Sequence, residues 1–146
     1  MINTELSKIK KIHSLQQQFI ATRATYDIKF RKAMLKKLYA ALIKWEKPLS
    51  EALYKDLHKS YEEAYLTEIS IVLGEIKNHL HHVKSWSKKR YIKTPLKLFP
   101  SCTYQVQEPL GNSLIIAPWN YPVQLLLNPL VGAISAGCTA ILKPSP

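Results

Sequence analysis

Gly111-Asn-Ser-Leu-Ile-Ile-Ala-Pro-Trp-Asn-Tyr-Pro122, followed by an apolar helical pattern and then Ala140-Ile-Leu-Lys-Pro-Ser-Pro146, decides the reading of this chain. The run Ser113–Ala117 is apolar without alternation, the pattern of a strand buried on both faces, as in a parallel sheet. Pro118 and Pro122 bracket a stiff polar turn, and Pro122 suits the first turn of a helix, where its missing N–H would go unpaired anyway. The helix is expected to run to about Gly137, a left-handed stop. Pro129 falls inside it and should kink or restart it. Gly132, Ala133, Ala136 and Gly137 form a small-residue face that allows a helix to approach a sheet closely. Thr139-Ala-Ile-Leu reads as a second short buried strand, with Lys143 directly after it. Strand, turn, helix and strand in this order open a nucleotide-binding α/β layer.

Upstream, Thr103-Tyr-Gln-Val-Gln alternates with a period of two and reads as a half-exposed strand. The turn Pro109–Gly111 should make it a hairpin with Ser113–Ala117. Pro95 and Pro100 mark an extended connector, because the residue before proline avoids the α region. Residues 4–93 read as helical almost throughout, with no glycine before Gly74 and only Pro48 as a breaker. Phe30, Met34, Leu35, Leu38, Leu42 and Trp45 recur every three or four residues, one stripe of an amphipathic helix. Pro48 is expected to open a new short helix carrying Leu49, Leu53 and Leu57. A longer one starts at about Glu62, with Tyr65, Ile69, Leu73, Ile76, Leu80, Val83 and Trp86 facing inward. The organisation is therefore α/β: a helical segment over 1–93, then 94–146 with a connector, hairpin strands and the start of a nucleotide-binding domain.

Hydrophobic residues make up 47% and charged residues 21%, which excludes a disordered chain. No run approaches the roughly 18 apolar residues of a membrane span, and the N-terminus has no apolar secretory core. Cys102 and Cys138 lack metal spacing and suit reduced thiols in the cytoplasm. The net charge of +11 belongs to the first 93 residues, since only Lys97 and Lys143 lie beyond them. Acidic residues interrupt the basic ones throughout, so solvated helix faces are favoured over a nucleic-acid surface. His79, His81 and His82 lack the spacing of a strong metal pair, and no metal site is expected.

In an open parallel sheet ligands bind beyond the carboxyl ends of the strands. Ala117-Pro-Trp-Asn and Lys143-Pro-Ser both fall at that edge. Asn120, held between prolines, is either a helix cap or a rigid amide donor able to stabilise a developing oxyanion. Lys143 is either a contact for a ribose hydroxyl or phosphate, or an ordinary exposed lysine. The glycine-turn dinucleotide motif is absent.

The run from Glu108-Pro-Leu-Gly through Ile116-Ala-Pro-Trp-Asn-Tyr-Pro, Asn128-Pro-Leu-Val-Gly-Ala-Ile-Ser-Ala-Gly and Leu142-Lys-Pro-Ser resembles the N-terminal part of the NAD(P)-dependent aldehyde dehydrogenase family. Lys55-Asp-Leu-His-Lys-Ser-Tyr-Glu-Glu-Ala-Tyr-Leu-Thr-Glu-Ile, with Lys84-Ser-Trp-Ser-Lys-Lys-Arg, resembles its class 3 branch. The resemblance implies a Rossmann-like sheet, here incomplete, and an enzyme that oxidises aldehydes to acids with NAD or NADP, a homodimer at full length. It implies that Asn120 helps form the oxyanion hole, and that Ile116, Ala117, Pro118 and Trp119 lie along the cofactor. Lys143 then meets the adenosine ribose with Ser145 beside it. Pro146 stands where the family commonly has Glu, which weakens a second ribose contact and leaves NAD and NADP undistinguished. The family's cysteine nucleophile, glutamate base and glycine-rich cofactor segment match nothing within the 146 residues. The expectation is a piece of an aldehyde dehydrogenase that does not turn over alone; the alternative is a non-catalytic structural or complementing subunit.

Overall fold

A computed structural model describes residues 4–145. The first helix, α1 (Leu6–Ala21), buries none of its residues and leaves Leu6, Ile9, Ile12, Leu15 and Phe19 exposed. After a left-handed residue at Arg23 and a 3₁₀ turn, α2 (Ile28–Leu57) begins behind Asp27, whose carboxylate accepts from the Lys29 amide at 2.9 Å. Pro48 does not open a new helix as expected; α2 runs through it for 30 residues. Proline removes one ladder bond, to the Lys44 carbonyl, and both residues lie on an exposed stretch where water can hydrate that carbonyl. Burial of Leu42 before it and Leu53 after it holds the two halves as one element.

His58, left-handed at φ 54°, ends α2, and Ser60 caps α3 (Tyr61–Ala64) through the Glu63 amide. A π turn over Tyr65–Ile69 then leads into α4 (Ser70–Trp86). The inward stripe holds at Ile69, Leu73, Ile76 and Val83, but Trp86 and, on α2, Trp45 are exposed at 42% and 55%. Proline-opened α5 (Pro122–Ala136) does not restart at Pro129 but passes through it as one helix and stops at left-handed Gly137. Leu35, Leu42, Ile69, Val72, Leu73, Ile76 and Val131 form a single core, so α5 shares its interior with α2 and α4.

The strands pair differently from the expected hairpin. β1 (Arg90–Ile92) takes β2 (Thr103–Gln105) as its antiparallel partner, with Arg90 opposite Gln105. The Thr94 hydroxyl also accepts from the Thr103 amide at 3.0 Å. β3 (Asn112–Ile116) is thereby left to pair in parallel with β4 (Thr139–Lys143), α5 supplying the crossover that parallel strands require. Nor is β3 buried on both faces: Ile115 is buried, whereas Leu114 and Ile116 are each 63% exposed. Helix α5 packs on this layer, and α1 meets both strands as well, Gln16 donating to the Ala140 carbonyl at 2.9 Å.

Arg31 fastens the far end of α5. Its guanidinium donates to the carbonyls of Thr25 at 2.6 Å, Ser135 at 3.3 Å and Tyr26 at 3.4 Å. A cation at the last turn of a helix complements its dipole. Burial lowers the Arg31 pKa from its ordinary value, opposed by Cys138, Tyr26 and Asp27, and the group stays cationic at any ordinary pH.

Candidate functional site

Register places the two sequence-derived groups at one edge. Ile116 pairs with Lys143, and the Ala117 amide donates to the Lys143 carbonyl at 3.1 Å, closing the parallel pair at its carboxyl end. The turn Pro118–Tyr121 leaves from there. Pro118, Trp119, Asn120 and Lys143 are exposed, Ser145 is half-buried and Ala117 is buried. Ile116, at the last position of β3, is exposed as well. Pro146 lies outside the described residues.

Asn120 is not the cap of α5. Tyr121 occupies the cap position without a side-chain hydrogen bond, and the first free amides are taken from elsewhere. Glu68, in the π turn, accepts from the Val123 amide at 2.8 Å and the Gln124 amide at 3.3 Å through Oε2. Its other oxygen pairs with Lys59 at 2.6 Å, with the two side chains 0% and 8% exposed. Lys59 Nζ also donates to the Asn120 carbonyl at 3.0 Å and sits 3.9 Å from the centroid of the Tyr121 ring. The pair thus holds the backbone of the turn, while Asn120 itself remains exposed.

Neither Lys59 nor Glu68 was singled out from the sequence. A signal was there: Glu68 falls on the inward stripe with Ala64 and Val72, four residues away on either side, where a charge has no place without a partner. Other candidates lie away from this edge. Cys102 is exposed, and Cys138 is half-buried at the C-terminal end of α5, less enclosed than a buried structural thiol. His79 contacts Glu75 and stacks edge-on to Trp86, and among the described residues no cluster of potential metal ligands occurs. A groove lined by Arg31, His79, Trp86, Glu108 and Cys138 lies at the opposite end of α5 from Asn120. Among the described residues no helix is long and apolar enough to cross a membrane.

Residues 7–146 match the aldehyde dehydrogenase family. The chain belongs to this family. It is 53% identical over 127 residues to the 4,4'-diaponeurosporen-aldehyde dehydrogenase of Staphylococcus aureus, covering 87% of this chain and 28% of that protein. It is 41% identical over 134 residues to bovine aldehyde dehydrogenase family 3 member B1, covering 92% and 28%. The structure of Staphylococcus aureus AldH in its substrate-bound state superposes with a TM-score of 0.89 at 48% identity, over 97% of this chain and 31% of that one. The NADP complex of glyceraldehyde-3-phosphate dehydrogenase GapN from Methanocaldococcus jannaschii, at 19% identity and a TM-score of 0.84, shares the fold. The described helices and short strands are the N-terminal part of the aldehyde dehydrogenase fold, and the chain spans about 28% of the length of the curated relatives above.

Proposed function

We propose that this chain supplies the oxyanion-stabilising turn and part of the nucleoside-binding edge of an enzyme that oxidises aldehydes to carboxylic acids with NAD or NADP. The observation that carries the reading is the Asn120 turn: exposed, at the carboxyl end of a parallel pair, and held from beneath by a buried ion pair. Asn120 would donate its carboxamide N–H to the oxygen that becomes negative when a nucleophile adds to the aldehyde carbon. Such a donor works because it is oriented before charge develops; losing one costs about 10²–10³ in rate.

The residues present fit a dinucleotide at its nucleoside end. Exposed Lys143 is a cation and donor at the rim, half-buried Ser145 offers a hydroxyl two residues on, and Trp119 and Pro118 give an apolar wall. The α5 terminus, whose amides Glu68 occupies, leaves the first turn of that helix closed to a phosphate. When bound, NAD or NADP supplies the hydride acceptor.

The test separates the chain from its context. By itself the 146-residue polypeptide should show no NAD(P)H production above a no-enzyme control, because it holds no family nucleophile or base. A chimera in which residues 7–146 replace the matching segment of the 53%-identical Staphylococcus aureus enzyme should oxidise that enzyme's aldehyde. A folded but inactive chimera would sink the proposed function, and turnover by the chain alone would contradict its division of labour.

A further inference from the structure

The buried pair Lys59–Glu68 does more than satisfy itself. Five contacts leave it or join it, and four of them end on residues 120–124. Glu68 Oε2 takes the Val123 and Gln124 amides, and Lys59 Nζ takes the Asn120 carbonyl and the face of Tyr121. The fifth is the 2.6 Å ion pair that ties the two side chains together. A buried ion pair gains little stability over apolar residues of equal size, because desolvation of both charges offsets their attraction. What it does supply is direction: charge-assisted hydrogen bonds are short and strict in geometry.

Its mounting is equally constrained. Lys59 sits between His58, the left-handed end of α2, and Ser60, the cap of α3, so one residue of chain is fixed on both sides. Glu68 lies in the π turn, a widening of the helix that is often found at functional positions. The outcome is that a turn with exposed side chains rests on a wholly buried base.

We propose that Lys59 and Glu68 are positioning residues for Asn120, setting the height and aim of its carboxamide while keeping anions off the α5 amides. This rests on the proposed function of Asn120. A donor displaced by about 1 Å can cost on the order of 10²-fold in rate, so the pair's effect should fall on kcat and leave the KM for NAD(P) nearly unchanged.

The experiment has two arms. In the 146-residue chain, Lys59→Met/Glu68→Gln removes both charges together and so avoids stranding one in the core. Hydrogen exchange followed by mass spectrometry should then show residues 120–124 exchanging at least about tenfold faster, with α2 and α4 unchanged; a tenfold change corresponds to ~1.4 kcal/mol of local opening. In the chimera, Glu68→Gln and the double variant should lose about 10²-fold in kcat, whereas Lys59→Arg, which keeps a cation and several donors, should retain most of the parent kcat. Unchanged exchange at 120–124, exchange raised equally everywhere, or equal kcat in all variants would overturn the proposal. An inactive parent chimera would instead count against the function of Asn120, and the exchange arm would still decide whether the pair fixes the turn.

Discussion

At Gly137 the backbone takes φ 81°, and a Cβ there would lie 2.7 Å from the Thr25 carbonyl and 2.8 Å from the Arg31 guanidinium. Both the left-handed conformation and the close approach exclude a side chain. Gly137→Ala should therefore destabilise the chain by more than ~1 kcal/mol in a denaturant titration, whereas Gly74→Ala, with open space around it on α4, should stabilise it slightly. The αL stop at Gly137 was legible in the sequence; the carbonyl crowding it was not, because Thr25 is more than a hundred residues away. The strand-end positions of Asn120 and Lys143 were legible for a related reason, since local pattern defines both strands. Lys59 and Glu68 were harder to find, since their meaning depends on a turn that reaches them only through the tertiary fold.

Among the elements, α5 is held at both ends by charge, with the Glu68 carboxylate at its first amides and the Arg31 guanidinium at the Ser135 carbonyl of its last turn. Acid at the N-terminus and base at the C-terminus match the helix dipole. Leu35 lies at the heart of the layer beneath, fully buried against α4 and α5, and Leu35→Ala should cost about 2–5 kcal/mol. Pro48→Ala should act oppositely: it restores a ladder bond in the exposed interior of α2 and should raise the stability by about 1–2 kcal/mol in a denaturant titration. A loss of stability there would mean that α2 is in fact two helices, as its sequence first suggests. The misread hairpin has the same origin. Alternation at Thr103–Gln105 announces a strand but not its partner, and β1 at Arg90–Ile92 carries too short and exposed a pattern to announce itself.

For the whole molecule, the sheet layer is a side that exposes apolar residues. Leu114 and Ile116 on β3 and Leu142 on β4 are exposed, as are Leu96 and Phe99 in the connector. Apolar strand faces of this kind favour association. The 146-residue polypeptide should self-associate in light scattering at micromolar concentration, and Leu114→Lys should reduce it. The family match fixes what the layer belongs to, and the proposed function puts its chemistry at the Ile116–Lys143 rim. In the chimera with the Staphylococcus aureus enzyme, Asn120→Ala should lower kcat by about 10²–10³ with little change in cofactor KM. Lys143→Ala should raise the KM for NAD(P) and spare kcat. That division, measured at an unchanged melting temperature, is the direct test of the rim: unaltered kinetics in both variants would show that this edge touches neither the reacting carbonyl nor the nucleotide.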